Sequence, residues 1–256
     1  MKNFNKNIIK QCILALLIGS PSPALAGDQT IKIGLGYKHF EASTHNNTIH
    51  SGKDLSIGYG YSYGEKMLNH FQFQVSNSSK EVKYELPYVS ANSNINLSQE
   101  FNFPFFTKGK LTNHTGIYFA NNFSLNFFPQ IDRNNFTWEN QLIAGLSTRN
   151  SYKLTDKKSI ALNIQIPIYS LFLSHRLHRL TGDLPQSNLS LWNAMDKQTG
   201  LANKLFMPNL EIGYQINIVA SIKAGIFYQA NCNWYQRENG YRINSKAHII
   251  SLRITY

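Results

Sequence analysis

Leu55-Ser56-Ile57-Gly58-Tyr59-Gly60-Tyr61-Ser62-Tyr63 alternates without a break between large apolar or aromatic side chains and Gly or Ser. A period of two sends the large set to one face of a β-strand and the small set to the other, whereas an α-helix needs a period near 3.6. A soluble sandwich alternates too, but its polar face meets water. A face built from glycine and serine suits a crowded, enclosed lumen, with the large face turned to lipid.

The same period runs through the chain on both sides of this stretch. Upstream it reads Ile31, Ile33, Leu35, Tyr37 against Lys32, Gly34, Gly36, Lys38. Downstream it reads Met67, Phe71, Phe73, Val75 against Gln72 and Gln74; Ile95, Leu97, Phe101, Phe103, Phe105 against Asn96, Ser98, Glu100, Asn102; then Ile117 to Phe127 and Phe136 to Leu146. Further strands follow at Ile160–Ile168, Leu210–Ile216, Ile222–Ala230 and His248–Tyr256. These are about ten segments, each near the length that crosses a bilayer at a tilt. The expected fold is all-β, a closed antiparallel transmembrane β-barrel of about ten strands. Val82, Tyr84, Leu86 and Tyr88 also alternate; they either extend two strands above the membrane or add a hairpin, which would make twelve.

Connections of two sizes alternate. Short ones fall at Gly64-Glu65-Lys66, Thr107–Lys110, Arg149–Ser159 and Asn217–Ser221, and longer ones at Glu41–Asp54, Asn77–Asn94, Gln130–Asn134, Leu173–Met207 and Tyr235–Asn244. With short turns periplasmic and long loops extracellular, both termini lie in the periplasm, as an even strand number requires. Aromatics then gather at two levels: Tyr59, Tyr61, Tyr63, Phe103, Phe105 and Tyr256 below, and Tyr37, Phe127, Phe136, Trp138, Phe172 and Trp234 above. Such belts mark membrane interfaces.

The N-terminus fits export. A basic stretch with Lys2, Lys6 and Lys10 precedes an apolar run from Cys12 to Ile18, and Ala24-Leu25-Ala26 ends in a small-x-small cleavage pattern before Gly27. That run is too short to span a membrane as a helix, so residues 1–26 read as a cleaved signal peptide and residues 27–256 as one barrel domain. Cleavage leaves Cys232 as the remaining cysteine and no intramolecular disulfide, so stability has to come from closure and membrane burial. The +11 formal charge is scattered singly, without a basic stripe, which argues against nucleic acid and for contact with anionic lipid headgroups.

At the C-terminus, Ile250, Leu252 and Ile254 alternate up to a final aromatic, Tyr256. This resembles the terminal strand signal of the Gram-negative outer-membrane β-barrel protein superfamily, with His248 at the fifth position as a departure. The resemblance implies recognition by the barrel-assembly machinery, residence in the bacterial outer membrane, and lipid and lipopolysaccharide as partners. It implies no cofactor, and it carries over no active site.

Two function classes follow. In the first, a structural, adhesive or narrow-pore barrel has a mostly filled polar lumen, with Lys32, Glu100, Glu139, Glu211, Lys223 and Arg253 as a network of inward charges that need partners. In the second, a surface enzyme acts on lipid or peptide (phospholipase, lipid A deacylase or omptin-like) through 173–207, with Ser174, His178 and Asp183 as candidates. Adjacent Ser174 and His175 point to opposite faces of a strand, and His178 reaches Ser174 or Asp183 only through a favourable turn. His175 and His178 have no third ligand at a defined spacing, so no metal site is expected.

Overall fold

The computed structural model describes residues 27–42, 48–64, 67–83, 88–127, 136–175, 195–201, 205–219, 221–236 and 242–256. The strands are β1 (Asp28–Ala42), β2 (Thr48–Tyr63), β3 (Leu68–Lys83), β4 (Tyr88–Lys108), β5 (Leu111–Phe127), β6 (Phe136–Thr155), β7 (Lys158–His175), β8 (Met195–Leu201), β9 (Leu205–Phe206), β10 (Asn209–Val219), β11 (Ile222–Gln236) and β12 (Arg242–Thr255). Each pairs antiparallel with its neighbours, and β12 pairs with β1 to close the sheet. The segments β8, β9 and β10 share one position in the wall: β10 bonds both β7 and β11, β8 continues alongside β7, and β9 alongside β11. The wall therefore has ten positions. Val82 pairs with Tyr88 as an extension of β3 and β4, so no extra hairpin crosses the membrane; Tyr84 and Leu86 lie outside the described residues.

Closure fixes the geometry. Followed from Asn102 through Gly116, Ser147, Gln165, Asn209, Asn231, Ala247, Lys38, Gly52 and Lys80, the ladder partners lead back to Ser90 on the same strand, a displacement of 12 residues. Ten strands with that stagger tilt by about 40° and leave a lumen that side chains can fill.

The alternation is inverted relative to a soluble protein. Among the described residues, six hydrophobic side chains are buried against twenty polar or charged ones, while Ile33, Leu35, Leu97, Phe119, Ile226, Ile250 and Leu252 are exposed on the outer face. Such a belt is stable in lipid and not in water. The aromatics Tyr63, Phe103, Phe105, Tyr152, Tyr214 and Tyr256 are exposed toward the short-turn end, and Tyr37 and Trp234 toward the other.

The turns are tighter than the sequence suggests. Gly109-Lys110 and Asp156-Lys157 are two-residue turns, and Gly109 has φ of 59°, a value glycine adopts without steric cost. Arg149, read from sequence as the start of a connection, therefore sits within β6. Much of the length assigned to the long loops is likewise strand carried past the apolar belt, as in β1, β2, β3 and β4. One irregularity changes parity. Ala144 pairs with Tyr169 and Gly145 with Pro167, so Ile168 is an extra residue in β7. Pro167 has no N–H for the ladder, and a bulge there is where a strand tolerates it. Beyond the bulge, Phe172 faces inward at 3 % exposure instead of joining the outer aromatic belt.

Candidate functional site

Inward residues of neighbouring strands converge below the middle of the barrel. On β4, Glu100 is fully buried. It accepts hydrogen bonds from Arg149 Nε at 2.7 Å and Arg149 Nη2 at 2.8 Å, from Asn102 Nδ2 at 2.9 Å, and from Gln165 Nε2 at 2.7 Å. Gln165 lies on β7, three wall positions away, so this contact cuts across the lumen. Ser147 Oγ donates to Asn102 Oδ1 at 2.6 Å and fixes the amide that serves the carboxylate.

On the opposite side Lys32 is 3 % exposed. Its Nζ donates to Gln229 Oε1 at 2.5 Å and Gln74 Oε1 at 3.3 Å, and lies 3.7 Å from Glu211. Arg253 clasps Glu211 through both terminal nitrogens, and its guanidinium stacks on the Phe227 ring at 3.9 Å. The two halves are joined by Asn209, which donates to Gln165 Oε1 at 2.8 Å and accepts from Gln229 Nε2 at 3.2 Å. The chain of contacts takes side chains from β1, β3, β4, β6, β7, β10, β11 and β12, eight of the ten wall positions. Buried charges persist only when paired and hydrogen-bonded, and here both carboxylates and all three cations are. Phe227 fits because Gly213 opposite has no side chain; a Cβ there would overlap the ring.

Cavities lie on both sides of this layer. Above it is a cavity of about 190 Å³, lined by Lys38, Asp54, Asn92, Asn122, Glu139, Gln141 and further amides. Below it is one of about 280 Å³, lined by His70, Arg149, Glu211, Lys223 and Arg253. Gln74, Gln165, Asn209 and Gln229 face the upper cavity and Lys32, Phe227 and Arg253 the lower; Gln72 borders both.

Of the six charges singled out in the sequence, the structure brings together Lys32, Glu211 and Arg253, and places Glu100 in the same layer. Glu139 lies apart, in the upper cavity. Lys223 pairs with Asp28 at 3.3 Å at the lower rim, where both are exposed and the pair contributes little. Arg149, the partner of Glu100, is absent from those six because the sequence reads as a connection from Arg149 onward; its place seven residues before the Asp156-Lys157 turn, in phase with Glu139 and Gln141, is the signal for it. Ile250, Leu252 and Ile254 face outward, and the Tyr256 backbone exchanges hydrogen bonds of 2.9 and 2.8 Å with Gln29.

Of the enzyme candidates, His178 and Asp183 lie outside the described residues. Ser174 is the last but one residue of β7, with Glu139 and Asp196 as its ladder partners, and His175 ends the strand opposite Met195. Among the described residues, no three His, Cys, Asp or Glu side chains gather as a metal site.

No protein-family model matches the chain, and no curated protein matches it in sequence. Among solved structures it is similar to the outer membrane protease OmpT from Escherichia coli, with a TM-score of 0.58 at 6% identity, covering 93% of this chain and 99% of that one. It is also aligned with the transport unit of the autotransporter AIDA-I from Escherichia coli (TM-score 0.41, 8% identity, 94% of each chain). A third alignment is with the translocator domain of autotransporter NalP from Neisseria meningitidis (0.40, 9% identity, 100% of this chain and 96% of that one). Scores that low carry no structural argument, and 6% identity speaks for fold and not for activity. Closure, the inverted pattern and the first of these likenesses together give the chain the closed antiparallel barrel fold of Gram-negative outer-membrane proteins.

Proposed function

We propose that this protein is an exported outer-membrane barrel that does not conduct solutes and acts at its outer end, in a structural or adhesive role. The observation that carries the reading is the layer from Glu100 and Arg149 through Gln165, Asn209 and Gln229 to Lys32, Glu211 and Arg253. A pore selects by rings of charge around an open axis; here the charges are paired with one another inside the lumen, Arg149 with Glu100, and Lys32 and Arg253 with Glu211.

The upper end is where the wall is free to meet partners. Strands continue past the apolar belt there, and their outer faces turn polar, as where Ser93 Oγ donates to Asn77 Oδ1 at 2.6 Å. On three adjacent strands Lys246, His39 and Lys53 point outward near one level, with His39 directly opposite Lys246 and Tyr37 opposite Lys53. Cations over aromatics at that level support contact with lipopolysaccharide phosphates. The test is liposome swelling: vesicles carrying the refolded protein should swell in arabinose no faster than empty vesicles, while a general porin control swells. Swelling at the porin's rate would refute the reading.

A further inference from the structure

The upper cavity has a composition that a seal does not call for. Its base carries an apolar cluster inside the barrel, where Tyr118, Ala120 and Ile143 are buried together and Met207 packs against them. Beside this patch stands a wall of amides and hydroxyls on β4 and β5: Asn94 donates to Asn92 at 2.6 Å, Asn92 to Ser124 at 2.8 Å, and Asn96 to Asn122. Among the described residues, some buried side-chain oxygens of the barrel interior have no hydrogen-bond partner. They include Asn233 Oδ1, which lines this space, and Gln141, 5 % exposed, and Ser98 line it too. A native interior leaves few such groups unmatched, and those it leaves are matched by water or ligand.

We infer that this chamber binds a neutral sugar ring presented from the outer side. A sugar hydroxyl donates and accepts at once, and the side-chain amides of Gln and Asn offer both functions in one plane. A pyranose also has a face of C–H groups, which the Tyr118–Ile143 patch suits. Charge disfavours an anion: Asp54 and Glu139 outweigh Lys38 in the lining, and a cationic ligand is the alternative the titration has to separate. A cavity of about 190 Å³ holds about six waters at liquid density, which is room for one ring and not for a lipid chain. The inference deepens the adhesive reading and rests on it in one respect: the charged layer makes the chamber a blind pocket instead of a passage.

The protein would be refolded into an amine-oxide detergent, whose headgroup is not a sugar, and titrated calorimetrically up to tens of millimolar. The probes are glucose, galactose and N-acetylglucosamine, with putrescine and glutamate as charged comparisons. At least one sugar should bind saturably, Gln141→Leu should weaken it at least about tenfold, and Ser98→Ala should weaken it less, both variants keeping wild-type heat-modifiable gel mobility. The proposal is overturned if no sugar saturates, if putrescine or glutamate binds in their place, or if both folded variants bind as wild type does. Failure here in a barrel that stays impermeable would remove the sugar site alone. Permeation through the wild-type barrel would remove the closed lumen whatever the titration shows.

Discussion

Arg149 reaches across β5 to hold Glu100 in two parallel hydrogen bonds, Nε to Oε2 at 2.7 Å and Nη2 to Oε1 at 2.8 Å. The planar guanidinium matches the carboxylate fork for fork, a geometry lysine cannot supply. Both side chains point into the lumen, Glu100 fully buried and Arg149 with about three quarters of its side chain covered.

Removing one partner therefore leaves a buried charge. Glu100→Ala should destabilise by about 3–5 kcal/mol, and Glu100→Ala with Arg149→Ala should cost less than the sum of the two single changes. Urea unfolding of the refolded protein, followed by tryptophan fluorescence, measures both. A Glu100→Ala protein that unfolds at the wild-type urea concentration would show that the pair is not closed in the folded protein.

Phe227 and Gly213 supply a steric counterpart. The ring lies where a Cβ on Gly213 would be, so Gly213→Ala should cost about 1–3 kcal/mol by overpacking. Shrinking the ring in the double variant with Phe227→Leu should recover part of that loss. If Gly213→Ala is neutral in the same unfolding experiment, the ring does not occupy the lumen at this level.

Much of this architecture was legible because a membrane barrel repeats one rule along its whole length. The alternation of Leu55–Tyr63 against glycine and serine states which side faces lipid, and the same rule placed Lys32, Glu100, Glu211 and Arg253 inside. Three features escaped it for physical reasons. Arg149 sits in a part of β6 whose outward residues, Thr148 and Asn150, are polar, so the segment reads as a turn. Phe172 follows the Ile168 bulge, which reverses parity, and no local signal beyond Pro167 announces it. The segment Met195–Leu201 carries no apolar alternation, so the period of two gives no sign of the strand that pairs with β7 there. Which charge meets which is a matter of register around the whole barrel, and no single strand encodes it.

The lipid face can be tested at Leu252, 63 % exposed beside the closing ladder. Leu252→Arg should lose about 2–4 kcal/mol if it lies near the bilayer midplane, while Leu252→Val stays close to wild type. Arginine at Ser251 or Gln165 is a poor control, because both side chains are buried inside the barrel and a larger one would be overpacked. Equal stability of Leu252→Arg and Leu252→Val in lipid vesicles would place this face against water.

Barrel closure depends on the chain end. Tyr256 N donates to Gln29 O at 2.9 Å and Gln29 N to Tyr256 O at 2.8 Å, the last rung between the first and last strands. An unpaired edge in hydrocarbon costs several kcal/mol per group. Deleting Tyr256 should reduce the heat-modifiable, folded fraction in cell envelopes far more than deleting a few residues between 176 and 194. Normal folding of the Tyr256 deletion, with loss in the loop deletion, would contradict this role.

The central claim is that the charged layer closes the lumen, and single-channel recording in a planar bilayer tests it most directly. Wild-type protein should give no conductance steps above the bare membrane. The combined Glu100→Ala, Arg149→Ala and Gln165→Ala variant, if it retains heat-modifiable mobility, should give discrete steps, because three of the side chains that fill the lumen at this level are gone. Stable steps from the wild-type protein, unchanged in size in the variant, would contradict a lumen closed at Glu100.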